Sequence, residues 1–424
     1  MGRRRKKAIE EGDAKERQDS GGFKMPADFV NMVERTQTSN LPDPFDPTPV
    51  EQGIGVYYTE MNYGGLSFAI IEDRKFKSSP SNVLPKESNT INGWAENKDF
   101  DVKNESDVPG AILLGERQEE FLKNWGANWS AETDMKVLLS QTIFNNVATL
   151  PREAISDVVV PTLRILEKGA YPPDDVPVSD MDSNGWPRTP RDKAVDLLRK
   201  CYAFHLAGDQ HLGSTIHYGI DDWRDGGIAA CVPSVSNIWP RRWYPESGGK
   251  NREEGAPKYT GDFVDGFNNL LTVYAVSNPL FTGKKPSILH DRAAGYGIVT
   301  FNKKSRDITI ALWPRDGDPT SPQSKPYDGW PLTFNQMDNY AREAYGYMPD
   351  IRVRGLAKPP VVKVLDEKGN TVYTVRAIGN EVAVKVFDQG DYKIIVGEPE
   401  IGQVKVLEGI YPSNQPQEPI EINF

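Results

Sequence analysis

The spacing of apolar residues changes several times along this chain, and each change marks a new element. The opening stretch, residues 1–40, is charged and helix-prone, with a helix expected over Pro26 to Arg35 and a proline-rich exit at Leu41-Pro42-Asp43-Pro44. From Val56 to Glu60 and from Leu66 to Ile71 the pattern suits two strands, joined at Asn62-Tyr63-Gly64-Gly65 as an antiparallel hairpin. Leu114, Phe121, Leu122 and Trp125 fall on one face of a helix starting at Gly115. A buried strand follows at Met135 to Leu139, ending in Ser140-Gln141-Thr142. After a loop rich in proline and aspartate from Tyr171 to Pro190, a helix over Arg191 to Lys200 leads into the apolar run Cys201 to Ala207. Gly226 to Val232 reads as another buried strand. The segment from Trp239 to about Gly295 shows no clear period, and Gly297–Phe301 with Asp307–Trp313 reads as a closing hairpin.

Helix, short link, apolar strand and polar loop in succession is the rhythm of an α/β layered fold. Past Pro349 the texture changes to short alternating strands at Val361–Leu365, Val372–Val375, Val382–Val386 and Asp391–Val396, with a turn at Lys368-Gly369-Asn370. Regular short strands and turns predict a small all-β sandwich, with no catalytic constellation in it. The expected organisation is a charged helical lead-in (1–40), an α/β domain (41–350) and an accessory β domain (351–424).

Composition narrows the picture. With 38% hydrophobic and 26% charged residues, 33 Pro and 37 Gly, the chain is loop-rich and holds no apolar run of membrane-spanning length. A net charge of -10 argues against general nucleic-acid binding. The basic cluster Arg3-Arg4-Arg5-Lys6-Lys7 lacks the apolar segment of an export signal and is followed by acidic residues, so it reads as a solvated mixed-charge helix. Cys201 and Cys231 are too few for a disulfide framework.

Candidate chemistry concentrates at Gly208-Asp209-Gln210-His211, just past an apolar strand. Ligands gather outside the carboxyl ends of strands in α/β sheets. An aspartate and a histidine one residue apart there can send an anionic oxygen and an imidazole nitrogen toward one pocket, a donor pair suited to a water-activating metal. Taken alone, the tetrapeptide reads as an ordinary turn, and it is the surrounding residues that raise the functional reading. His217, Asp221, Asp222 and Asp225 are nearby donors in what is otherwise a solvated aspartate-rich loop, whereas His205, within the strand, reads as a hydrogen-bonded core residue. Asp182 and Asn184 suit either a turn or the orientation of substrate and water. Arg74 suits either a loop-holding ion pair or a phosphate contact. The adjacent Arg241, Arg242 and Trp243 offer planar, bidentate recognition of phosphate oxygens. Gly261-Asp262-Phe263-Val264-Asp265 has the letters of a metal turn, but it lies inside the aperiodic segment and reads as a loop.

Several of these elements occur in an order that resembles the PhoD-like branch of the metallophosphoesterases, a family of calcineurin-like α/β phosphatases. They are Glu72-Asp73-Arg74 after a strand; Gly115, Gln118, Phe121 and Leu122 on a helix; Asp182-Ser183-Asn184-Gly185-Trp186-Pro187 with Arg191; Gly208-Asp209-Gln210-His211; Pro233-Ser234-Val235; and Arg241-Arg242-Trp243. The resemblance covers about three-quarters of the chain and omits the β-rich tail. It implies a partial calcineurin-like layered sheet and a metal-dependent phosphatase or phosphodiesterase acting on a phosphate ester. It further implies a dinuclear metal centre of iron, calcium, zinc or manganese. Asp209 and His211 would be metal ligands, Asn184 and Arg242 catalytic residues, and Arg241 and Trp243 substrate contacts. Periplasmic or extracellular placement is implied in the same way. The family's early ligands, on a Gly-Asp-x-x-Asp or Tyr turn and an Asp-Asp-His-Asp loop, have no counterpart near the start of this sequence, so the chain reads as beginning after them. The alternative is a non-catalytic surface or exported module built on the same fold.

Overall fold

A computed structural model describes Phe23 and residues 25–424; the basic cluster at residues 3–7 and most of the charged lead-in lie outside the described residues. The chain is mixed α/β and dominated by sheets. Its largest sheet has eight strands: β1 (Thr59–Tyr63), β2 (Leu66–Ile70), β3 (Met135–Leu139), β4 (Phe204–Ala207), β5 (Ser214–Tyr218), β6 (Ile228–Cys231), β7 (Gly261–Val264) and β8 (Leu270–Val276). Their spatial order is β1-β2-β3-β4-β6-β5-β8-β7. The pairs β2/β3, β3/β4 and β4/β6 are parallel, and the remaining neighbours are antiparallel.

Successive side chains of the parallel strands serve opposite faces, as the period of two requires. Leu138, Ala229 and Cys231 join a core with helix α1 of this layer (Glu116–Ala127) and helix α2 (Arg188–Arg199), through Phe121, Leu122, Trp125, Ala194, Val195 and Leu198. Met135, Val137, Phe204, Ile228 and Ala230 face the other way, onto Ile308, Ile310 and Leu312 of a separate three-stranded sheet. Burial on both faces explains why β3, β4 and β6 read as mainly apolar runs, interrupted by the buried Lys136 and His205, rather than alternating ones.

The structure corrects the reading of residues 239–295. Asp262 and Phe263 lie in the edge strand β7, which pairs with β8, and Asp265 is a buried turn hub rather than part of a loose loop. Asp265 accepts from the backbone N–H groups of Asn146, Phe267 and Asn269 and from the Asn145 and Asn269 amides. β8 is itself a mostly buried, largely apolar run of seven residues, and β7 pairs along it as a four-residue edge strand.

Beyond Gly346 several small sheets share one core, which includes Val362, Val364, Val375, Ile394 and Val396 and takes in Trp129 and Tyr202 from the larger part. Arg376, fully buried, pairs with Glu398 and donates to the carbonyls of Ser130 and Thr133 at 2.8 and 2.7 Å, tying this β-rich part to the loop before β3. Among the described residues no helix is long and apolar enough to cross a membrane.

Candidate functional site

Because β2, β3, β4 and β6 are parallel, their carboxyl ends lie along one edge, and the chain leaves each of them into the same cleft. From β2 comes Glu72-Asp73-Arg74, from β3 Gln141-Thr142, from β4 Asp209-Gln210-His211, and from the segment after β6 Asn237 and Arg241. The loop before α2 adds Asp180, Asp182 and Asn184. The cleft is half-open and holds about 180 Å3, with Arg74, Gln141, Asp182, Asp209, His211 and Arg241 among its lining.

Each strand end is fixed from beneath. Gln118 of α1 is fully buried and exchanges hydrogen bonds with the Glu72 backbone, accepting from its N–H at 2.8 Å and donating to its carbonyl at 2.7 Å. That explains why a polar residue sits on the buried face of an amphipathic helix. Gly115, at φ 78°, begins the helix where a Cβ would stand 3.2 Å from the Phe76 ring. Arg191 of α2, fully buried, donates to the Phe144 carbonyl at 2.7 Å and to Asn145 Oδ1 at 2.8 Å, which holds the loop after β3. The His205 ring bridges Ser140 Oγ at 2.7 Å and Tyr218 Oη at 2.8 Å. Burial pushes its pKa down to about 3, so it is the neutral core histidine that the sequence suggests.

The Gly208–His211 turn divides its side chains. Gln210 points inward, donating to the Asn145 carbonyl at 2.6 Å, and leaves Asp209 and His211 on the cleft side. Both of these have left-handed backbones, with φ of 60° and 57°, a conformation uncommon for residues with a Cβ. Two such residues in one turn are a local strain of the kind that accumulates at functional positions. Asn237 orients the histidine. Its amide donates to the carbonyls of His211 and Arg292, both at 2.9 Å, so its Oδ1 faces His211 Nδ1 at 3.2 Å. That partner calls for the proton on Nδ1 and leaves the lone pair on Nε2.

No family model and no curated protein matches the chain. Among solved structures, a group B streptococcus pilus 2b backbone protein aligns with 51% of this chain and 78% of its own at 11% identity, with a TM-score of 0.12, which is too low to bear on fold or function.

The cleft gathers some of the residues singled out in the sequence and disperses others. Arg74 spans it: Nε donates to Gln141 Oε1 at 2.8 Å, Nη2 to Asp209 Oδ2 at 3.0 Å, and Nη1 reaches Asp182. Gln141 Nε2 also donates to Asp209 Oδ2, at 2.8 Å. Asn184 lies under the floor, 1% exposed, with its amide on Asp73 and on the Thr142 carbonyl. Burial raises the Asp73 carboxyl above its ordinary range, and Asn184 and the Thr142 N–H work against that rise. Lys77, also buried, donates to the carbonyls of Asp182 and Ser183 at 3.1 and 2.6 Å, which fixes this loop against the chain after β2. Desolvation pushes its amine down to about 8.

Arg241, Arg242 and Trp243 diverge instead of forming one phosphate-facing surface. Arg241 lines the cleft but is paired with Asp180 and Asp157. Arg242 turns away to grip the fully buried Asp175 with two parallel bonds of 2.8 and 2.7 Å. Trp243 is fully buried, edge-on to Phe263, with its indole N–H on the Tyr259 carbonyl at 3.2 Å. His217 is buried between Tyr274 and the Gly226 carbonyl, and Asp225 pairs with Arg199 and caps the 220–222 turn. Asp157, Asp180 and Gln141 were not picked out from the sequence. For Gln141 the rule about strand ends, applied to β3 as it was to β4, was the available signal.

Among the described residues no group of three or more His, Cys, Asp or Glu side chains is arranged to hold a metal ion. Asp209 and His211 face one cleft, yet Asp209 Oδ2 already accepts from two donors and the Asp182 carboxylate is engaged by the same Arg74. The donors present among these residues do not fit a dinuclear centre as they stand.

Proposed function

We propose that this chain carries the strand-end half of a phosphoric ester hydrolase site of the PhoD-like, calcineurin-like type, acting on a phosphate ester with metal dependence. The observation that carries this reading is the convergence of four parallel strand ends, which deliver Arg74, Gln141, Asp209-x-His211 and Arg241 to one open cleft. A cleft at that edge is where α/β sheets place ligands. The resemblance in motif order then supplies the reaction class. Metal ions, when bound, would supply an activated water and charge stabilisation. The chain's own residues would do the rest. Asp209 and His211 Nε2 offer donors, Arg74 offers a planar guanidinium to ester oxygens, and Asn184 and Asp73 hold the floor rigid. Arg242 and Trp243 support the fold around the cleft in this reading and do not touch substrate. Periplasmic or extracellular placement belongs to the same proposal.

The test is hydrolysis of 4-nitrophenyl phosphate and bis(4-nitrophenyl) phosphate with Mn2+, Zn2+, Ca2+ or Fe3+ added. Turnover that needs a metal and is lost in Asp209→Asn supports the proposal; turnover untouched by Asp209→Asn sinks it. A second reading, a non-catalytic surface or exported binding module, is favoured by one observation: Arg74 already neutralises the carboxylates that a metal would use. Ester binding without turnover under every metal condition is its signature.

A further inference from the structure

We infer that the surface beside the cleft, formed by the loop 281–288 with the turns at 157–158 and 235–238, docks the chain onto an anionic lipid surface. Docking is independent of the proposed reaction and is read without any ester.

Five large apolar side chains stand in water here: Val158, Val235, Ile238, Phe281 and Ile288 are 46% to 72% exposed. The three segments that carry them are tied together. Trp239 Nε1 donates to Asp157 Oδ2 at 3.0 Å, while the Asn237 amide and Arg292 Nη1 donate to the carbonyls of Arg292 and Ile238, each at 2.9 Å. Thr282 donates twice to the buried Asp291, through its N–H at 2.9 Å and its hydroxyl at 2.6 Å, which closes the loop between them. Single exposed apolar residues are ordinary, whereas a cluster of them marks an interaction surface. Charge decides the kind of partner. Although the whole chain carries -10, residues 281–292 hold Lys284, Lys285 and Arg292 against one acid, Asp291, which Thr282 already occupies. Lys284 meets Asp316 at 2.9 Å, and the exposed Arg315 stands next to that aspartate in the chain, so the basic excess remains. Charges beyond a Debye length, about 8 Å at physiological ionic strength, are screened, so the acidic remainder of the chain does not cancel it. Every residue from Phe281 to Ile288 is exposed, with an aromatic and an isoleucine at the two ends and two lysines between them. Apolar side chains that enter the acyl boundary beside lysines that stay at the headgroups hold a chain on anionic lipid. A loop exposed along its whole length offers no groove to a peptide, which favours lipid over a protein partner. Because Asn237 also holds His211, docking sets the cleft beside the lipid surface.

Flotation of the whole chain with phosphatidylcholine vesicles, with and without phosphatidylglycerol, tests this in the wild type, Phe281→Ser/Ile288→Ser, Lys284→Gln/Lys285→Gln and Tyr63→Ser. Tyr63 is the control: it is 76% exposed and pairs with Leu66 at the start of β2, so it lies at the end of the parallel strands opposite the cleft. All five substituted side chains are exposed, and a circular-dichroism melt checks that each variant is folded. The expected result is wild-type binding to phosphatidylglycerol vesicles that weakens as NaCl is added. Binding should be at least about ten-fold weaker in each double variant and unchanged in Tyr63→Ser. The inference is overturned if the wild type ignores anionic vesicles, as it would with a protein partner at this face, or if it binds phosphatidylcholine alone equally well. Binding retained in either double variant, or lost as far in Tyr63→Ser, overturns it too.

Discussion

Replacing Asn184 by alanine probes the network under the cleft. Asn184 is 1% exposed, and its amide donates to Asp73 Oδ2 and to the Thr142 carbonyl, the latter at 3.2 Å. Without it, Asp73 Oδ2 keeps the backbone N–H of Thr142 at 3.3 Å. Loss of a hydrogen bond to a buried charged acceptor costs about 1.5–3 kcal/mol. The cost depends on pH. Burial raises Asp73 above its ordinary value of 3.8 in the folded chain, so protonation favours folding. That contribution is complete below 3.8 and is lost as pH rises through the raised value. Asn184 is one of the groups holding Asp73 down, so alanine raises it further and steepens the loss. Urea unfolding followed by tryptophan fluorescence at pH 4.5 and pH 8 measures both effects. Asn184→Ala should lower stability by about 2 kcal/mol at pH 8 and by less at pH 4.5. Equal stability at pH 8, or a larger deficit at pH 4.5, would refute the reasoning.

Arg242→Met should destabilise the fold by about 3–5 kcal/mol, because it strands the buried Asp175 carboxylate, while leaving the KM of the folded fraction unchanged. Trp243→Phe should lower stability by roughly 1–3 kcal/mol, through lost packing and an unpaired Tyr259 carbonyl, again without moving KM; a raised KM in either variant returns these residues to the substrate surface. His205, pushed down to about 3, should remain neutral in imidazole NMR titrations at any pH above 5. A depressed histidine contributes stability above its unfolded value of 6.5 that is lost as pH falls toward the folded one, so His205→Gln should flatten the acid limb of the stability curve.

The sequence made the parallel strands and the polar turns beyond them legible, because strands buried on both faces leave mainly apolar runs, here interrupted by Lys136 and His205. Met135–Leu139 is placed to the residue, and the turn after Ala207 does carry Asp209 and His211 to a shared cleft. Helix α2 begins three residues before Arg191, at Arg188, because Pro190 falls in its first turn, where the missing N–H breaks no intrahelical bond. What stayed hidden was side-chain direction in irregular chain. Arg241, Arg242 and Trp243 are neighbours in sequence, yet they go to the cleft, to Asp175 and to the core, and no periodicity governs a segment without regular structure. Partners distant in sequence were equally hidden: nothing near Arg74 announces Asp182 and Asp209, 108 and 135 residues away.

The central claim is that the strand-end cleft handles a phosphate ester through Asp209 and His211. The most direct measurement is the rate of bis(4-nitrophenyl) phosphate hydrolysis by the protein, with and without added divalent cation, beside Asp209→Asn and His211→Ala. The account predicts cation-dependent turnover that falls at least about a hundred-fold in both variants, since each removes one of the two proposed donors. Turnover that persists in both variants, or that ignores the cation, would contradict it.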